Sequence, residues 1–182
     1  EAAGRLLVRE ARRLGFDAVD EAVAVVAGAP WIQNQFHARK VPVDALGLDF
    51  YHLSEHVHAA RREVFGEDDA AGQTHAGDLL HTVRHEGYES FWSQLAAWRS
   101  GLKSPRKKAA VDDLMQYAAA RREMIRYPEF RQQGGQIGSG PTESQCKLCT
   151  KRLKGHGRRW DRPNATAVAA SGALYPAEFH GH

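Results

Sequence analysis

A glycine-rich turn between residues 136 and 144 leads into a predicted helix start that carries one acid, Glu143. Pro141 fits the first turn of a helix, because the N–H that proline lacks would be unpaired there in any case. Gly138 and Gly140 are expected to let the backbone turn sharply just before it. A carboxylate in this turn lies at the positive end of the helix dipole, which favours its charged form, so Glu143 is a candidate metal ligand. An ordinary first-turn acid is the alternative interpretation.

A second candidate metal site lies in the first half of the chain. His52, Glu55 and His56 match the H-x-x-E-H pattern, in which two histidines on one helical face bind zinc and the glutamate activates water. A third ligand would have to be a downstream acid, and Glu123 and Glu129 are the nearest candidates in a helical context. A zinc-dependent hydrolase is therefore the alternative functional prediction.

Two further pairs of residues have the spacing of metal ligands. Cys146 and Cys149 have the C-x-x-C spacing of a zinc knuckle with His156 downstream, but no second cysteine pair completes a set of four ligands. The helical periodicity around the two cysteines favours thiols that face the core instead. His81 and His85 lie four residues apart, and partly exposed histidines on one helical face are the alternative to a metal-binding pair.

Charge is distributed unevenly along the 182 residues. Residues 1–91 contain 9 Lys and Arg against 15 Asp and Glu, whereas residues 92–182 contain 16 against 7. The basic half is where a polyanion would bind, unless its basic face is simply solvated. Within it, one basic segment also contains a tryptophan that could stack on a base or a sugar. The candidate DNA-binding residues are Lys147, Lys151, Arg152, Lys154, Arg158, Arg159, Trp160 and Arg162.

Composition bounds the class of protein. With 42% apolar residues the chain can form one core, and no apolar run approaches the length that crosses a bilayer. The first residues do not resemble a secretory signal, so we expect a cytoplasmic protein without a membrane partner. Two cysteines three residues apart do not indicate a disulfide framework, which agrees with a reducing compartment.

The elements that must position these side chains begin with a β-α-β unit. Residues 22–26 form a short β-branched run that predicts a buried strand, and a helix is predicted to begin at Pro30 and to end near Ala38. Residues 43–50 predict a second strand that ends at Asp49, in parallel pairing with the first. Carboxylates at strand ends and helix starts can converge on Mg²⁺, so Asp49 joins Glu143 as a candidate ligand.

A long helical block follows the second strand. Leu53, Val57, Ala60 and Val64 recur at the spacing of one buried helical face, and Gly66 is placed to end that helix. The predicted fold class is accordingly α/β and predominantly helical. Further helices are predicted at residues 73–85, 88–100, 105 to about 126, 141 to about 153, and 164–174.

Four ordered motifs carry a family resemblance. They are Ala29-Pro30-Trp31-Ile32, then Leu48-Asp49-Phe50-Tyr51-His52 with Glu55-His56, then Arg126-Tyr127-Pro128-Glu129-Phe130, and finally residues 137–144 with Arg158-Arg159-Trp160 downstream. Together they resemble the C-terminal part of bacterial insertion-sequence transposases. These are DDE enzymes with an RNase H-like core, distantly similar to the Mutator-like group, and the similarity spans nearly the whole chain.

The resemblance implies a metal-dependent DNA recombinase. In such enzymes three acids hold two Mg²⁺ ions that activate water, and then a 3′-hydroxyl, for attack on phosphodiesters. Glu143 matches the third acid. The first acid is expected upstream of Glu1, and the second is expected where Ala27 stands, immediately before Gly28. We therefore expect a transposase-derived segment that binds DNA, is inactive alone, and associates with itself.

The resemblance also predicts how the chain is organised. Residues 1–50 are expected to form a truncated RNase H-like core, and residues 51–135 an all-helical insertion. Residues 136–174 are expected to return to the core with the helix that carries Glu143 and with the basic segment. Residues 175–182 are expected to form a tail.

Overall fold

The computed structural model describes residues 2–140 and Asp161. By its contacts the chain divides into one compact unit that ends at Gly138 and a second unit that begins at Ser139. Three predicted segments lie outside the described residues: the helix expected to carry Glu143, the helix expected at residues 164–174, and the tail. Within the described part of the chain, no helix combines the length and the apolar character needed to cross a bilayer.

A parallel β-α-β unit follows the first helix. After α1 (Ala2–Arg13), strand β1 (Val23–Val26) is joined through α2 (Pro30–Arg39) to strand β2 (Ala45–Leu48). The two strands pair in parallel, with Val23 opposite Ala45 and Val26 opposite Leu48, which confirms the predicted pairing.

Strand β2 is shorter than the predicted span of residues 43–50, because a polar side chain stands at each of its ends. Before the strand, the Asp44 carboxylate accepts a hydrogen bond from the Ala22 N–H at 2.7 Å. After the strand, the Asp49 carboxylate caps the next helix instead of continuing the sheet.

The remainder of the described unit is helical, so the described part of the chain is predominantly helical with one small sheet. α3 follows β2 directly and packs against both α4 and α6. A short 3-10 helix and a short α-helix close the unit. The elements are α3 (Phe50–Phe65), α4 (Ala70–His85), α5 (Tyr88–Gly101), α6 (Pro105–Ala119), the 3-10 helix (Arg122–Met124) and α7 (Tyr127–Gln132).

One apolar core joins the sheet to the helices. The predicted stripe of α3 is buried as expected, with Leu53 and Val57 fully inaccessible. Leu48, the last residue of β2, belongs to the same cluster of buried side chains as Phe91 and Leu95 of α5. A two-stranded sheet is marginal by itself, so burial against the helices is what stabilises the β-α-β unit.

The prediction that one helix runs from Pro105 to about Arg126 is wrong. α6 ends at Ala119, and the chain turns through Arg121 into the 3-10 helix. This break allows Met124 and Ile125 to enter the core, where they are 5% and 1% exposed. A helix that continued past Ala119 would turn these two residues to different sides of its axis. The burial of both side chains therefore overrides the local helical propensity.

Gly28 determines the turn between β1 and α2. Its φ is +73°, in the left-handed region that favours glycine. A Cβ atom there would lie 2.6 Å from Leu48 Cδ1 and 2.8 Å from Arg121 Nε. The position therefore excludes side chains both by backbone conformation and by space.

Gly28→Ala should lower the free energy of unfolding by about 3 kcal/mol, because left-handed strain and overpacking add. The measurement is urea unfolding followed by circular dichroism. Gly15→Ala is the matched control, since Gly15 also has a positive φ, +77°, but a Cβ added there would meet nothing within 4 Å. Gly15→Ala should lower the free energy of unfolding by about 1 kcal/mol. Equal losses for the two variants would contradict the close packing at Gly28.

Candidate functional site

The candidate site lies at the carboxyl-terminal edge of the two parallel strands. Val26 pairs with Leu48, and the Asp49 N–H donates to the Val26 carbonyl at 2.9 Å. Ala27 and Asp49 are therefore the first residues beyond the paired strands. Ala27 is exposed, whereas Asp49 is 1% exposed. A side chain at position 27 would thus stand on the same edge of the sheet as the Asp49 carboxylate.

Asp49 is held at the start of α3. Its Oδ1 accepts a hydrogen bond from the Tyr51 N–H at 2.9 Å, which makes it the N-cap of that helix. An N-cap aspartate satisfies an otherwise unpaired amide and contributes about 1 kcal/mol to stability. The sequence predicted that Asp49 closes the second strand, and the structure confirms this placement.

The beginning of the glycine-rich turn packs beside Asp49. The Phe50 N–H donates to the Ile137 carbonyl at 2.8 Å, which brings residues far apart in the chain into contact. A Cβ at Gly138 would lie 3.0 Å from Tyr51 Cε2 and 3.7 Å from Asp49 Oδ1. Gly138 therefore serves close approach to Tyr51.

An aromatic and cationic stack lies next to this edge. The His56 ring stacks on Tyr117, with 3.6 Å between ring centroids and 23° between planes. The Arg121 guanidinium lies 3.9 Å from the centre of the same Tyr117 ring. Arg121 also donates from Nε to the Gly28 carbonyl and from Nη1 to the Tyr117 carbonyl, each at 3.0 Å. Arg121 thus ties the helical block to the turn that follows β1.

These contacts determine the electrostatics of the stack. Burial lowers the pKa of His56, and the Arg121 charge lowers it further. Burial raises the pKa of Tyr117. The contacts of Tyr117 with His56 and Arg121 could not be predicted from the sequence, because they depend on how the helices pack, which no local pattern reveals.

Tyr127, from the third of the four ordered motifs, packs behind Asp49. It is fully buried and meets the Phe50 ring edge-on, with 5.5 Å between centroids. Burial strongly raises the pKa of its hydroxyl, and Tyr117 and Asp49 add to this effect. Within the described residues the hydroxyl has no hydrogen-bond partner. The motif that contains Tyr127 therefore supplies a buried aromatic ring that packs against Phe50, the residue after Asp49.

The two histidines of the H-x-x-E-H motif contact different partners. His52 Nδ1 lies 3.3 Å from Glu55 Oε2, whereas His56 stacks on Tyr117. Across residues 2–140 and Asp161, no group of three or more His, Cys, Asp or Glu side chains is arranged to hold a metal ion. The zinc hydrolase stays a prediction that no specific contact favours.

Several predicted site residues lie outside the described part of the chain. They include Glu143, the proposed metal ligand, and the cysteines Cys146 and Cys149. The candidate DNA-binding residues Lys147, Lys151, Arg152, Lys154, Arg158, Arg159, Trp160 and Arg162 also lie outside it. Of the two candidate Mg²⁺ ligands, Asp49 is thus the one with a described environment.

Comparison of the chain with protein-family models, with curated proteins and with solved structures returns no significant match.

Arg121→Gln should lower the free energy of unfolding by about 2 kcal/mol, because it removes two charge-assisted hydrogen bonds to carbonyl groups. The adjacent Arg122→Gln is the control. Arg122 forms an exposed ion pair with Glu89 at 2.6 Å, which should contribute less than about 1 kcal/mol. Urea unfolding measures both variants. If Arg122→Gln proves as damaging as Arg121→Gln, then Arg121 does not anchor the turn at Gly28.

Proposed function

We propose that this chain is a transposase-derived DNA-binding segment of the DDE recombinase class, inactive in strand transfer by itself. One observation supports the proposal most: Asp49 stands at the carboxyl-terminal edge of a parallel β-α-β unit, and Ile137 and Gly138 return to it after a helical block. The sequence resemblance implies a helical block after the second strand and a return of the chain to the strand edge, and the described residues agree with that part of the order.

The chemistry of the intact class explains why the edge matters. Mg²⁺ supplies charge neutralisation and activates the attacking oxygen when several carboxylates hold it. The described residues do not by themselves make up such a site, because Asp49 shares the edge with Ala27, which offers no donor atom. The proposal therefore assigns this chain binding of DNA without cleavage.

Charge supports DNA as the partner. The basic segment between residues 147 and 162 carries seven Lys and Arg against Asp161 alone, beside Trp160. Phosphate contacts by such residues dominate the affinity of most nucleic-acid-binding proteins, and an aromatic ring adds stacking. The association is expected to weaken steeply as salt rises.

Binding of a duplex oligonucleotide, measured by fluorescence anisotropy between about 50 and 200 mM salt, tests this role. A variant with Lys147→Gln, Arg152→Gln and Arg158→Gln should reduce the slope of log affinity against log salt by about 2.7, or about 0.9 for each lost phosphate contact.

The matched control changes the same amount of charge elsewhere, in Lys103→Gln just before α6 and in Lys107→Gln and Lys108→Gln near its start. It should leave the slope nearly unchanged. The absence of binding by the native chain at low salt, or equal slopes for the two triple variants, would contradict the proposal.

Ala27→Asp tests the proposed loss of the metal site. It places a carboxylate on the strand edge beside Asp49, so Mn²⁺ affinity measured by electron paramagnetic resonance should rise by about tenfold or more over the native chain. Adding Asp49→Asn to Ala27→Asp should reverse most of the gain, because it removes the carboxylate beside position 27 while an asparagine can still cap α3.

The control is Ala29→Asp, which adds the same charge at the N-cap of α2 instead of at the strand end. A gain in Mn²⁺ affinity as large for Ala29→Asp as for Ala27→Asp would show that the strand edge is not a remnant metal site.

A further inference from the structure

Two helices bring four basic side chains together on the surface. His81, Arg84 and His85 lie in the last turns of α4, and Arg131 reaches them from α7. All four are exposed. We call this group the α4–α7 cationic cluster. Partly exposed histidines on one helical face were one of the two interpretations of this pair, and both histidines are exposed. The sequence did not predict the two arginines beside them.

The members of the cluster are in direct contact. The rings of His81 and His85 stack with 4.3 Å between centroids and 24° between planes. Arg131 Nη1 donates to His85 Nδ1 at 3.1 Å and lies 3.5 Å from the Arg84 carbonyl oxygen. Because Arg131 donates, Nδ1 of His85 must be the acceptor, and His85 is neutral in this arrangement.

Desolvation and nearby cations both disfavour the charged form of His85. Partial desolvation lowers its pKa, and the charges of His81, Arg131 and Arg84 lower it further, while Glu86 acts in the opposite direction. These groups come from both helices that pack around His85. Mutual repulsion of this kind is relieved when an anion with several acceptor oxygens binds among the cations.

Helix stability accounts for only part of the cluster. Basic residues in the last turn favour the helix dipole, which explains Arg84 and His85, and Arg131 approaches a terminal carbonyl. Neither effect explains His81, which lies one turn earlier and adds a second titratable ring to the same spot. An anion-binding role would account for all four basic side chains, because an anion with several acceptor oxygens needs several donors in one place.

The cluster lies near the candidate site. The Arg84 guanidinium is 5.9 Å from the centre of the Phe50 ring, and Phe50 directly follows Asp49 in the chain. An anion bound at the cluster would therefore lie toward the strand edge rather than on a remote surface. DNA engaged near that edge would present phosphodiesters to the cluster.

We infer that the α4–α7 cationic cluster binds a phosphate group, with His81, Arg84, His85 and Arg131 as its donors. The assignment of this phosphate to the backbone of DNA rests on the proposed function. The inference that the cluster binds a phosphate group does not. Binding protonates a histidine, because the anion stabilises the imidazolium that the arginines disfavour in its absence. The affinity for the phosphate therefore rises as the pH falls toward 6.

The first arm of the test uses duplex DNA. Arg84→Gln with Arg131→Gln should reduce the salt slope by about 1.8, while Lys103→Gln with Lys107→Gln, which removes the same charge, should not change it. The native chain should bind DNA about threefold or more tightly near pH 6 than near pH 7.5, since each proton taken up contributes up to tenfold per pH unit. His81→Gln with His85→Gln should abolish this pH dependence.

The second arm uses inorganic phosphate and does not depend on DNA binding. Nuclear magnetic resonance of the imidazole protons should show that phosphate raises the pKa of His85, and that Arg84→Gln with Arg131→Gln abolishes the effect. A chain that binds no DNA but shows this shift would refute the proposed function and support the phosphate site. An unchanged pKa of His85 in phosphate would overturn the inference, as would a pH dependence of DNA binding that survives the double histidine variant.

Discussion

The burial of two parallel strands by helices is the constraint on which the rest of the structure depends. Two parallel strands cannot bury their own faces, so β1 and β2 are stable only with helices packed against them. Leu48 meets this need by entering the same core as the side chains of α3 and α5. The sharp end of β2 at Asp49 follows, because the chain leaves the sheet and enters α3 without a loop.

Two long-range hydrogen-bonded links then define the strand edge. Arg121 joins the end of α6 to the Gly28 carbonyl, and Phe50 joins α3 to the Ile137 carbonyl. Both links join segments that are distant in the chain, so each depends on the packing of the core that brings those segments together. The same packing places α7 against α4 and thereby brings Arg131 to His85.

Local patterns in the sequence predicted much of this fold. The β-branched run predicted a strand and the periodicity of α3 predicted a buried helical face, and both elements were confirmed. The residues of β1 are half-buried, however, so the prediction that this strand is fully buried was wrong. The end of α6 was not predicted, because it depends on contacts with Gly28 and with the core. These contacts join residues that are far apart in the sequence. Asp49 could be placed at a strand end, but its neighbours Gly138 and Tyr127 come from long-range packing. Glu143 lies outside the described residues, so its role as a metal ligand stays a prediction.

The central claim is that this chain contacts DNA through its basic segment. Photo-crosslinking to a duplex that carries iododeoxyuridine, followed by peptide mass spectrometry, tests this claim most directly. The proposal predicts crosslinked peptides from residues 147–162, with Trp160 as a preferred site because an aromatic ring stacked on a base reacts readily. Crosslinks confined to α1 or α6, or the absence of crosslinks at low salt, would contradict it.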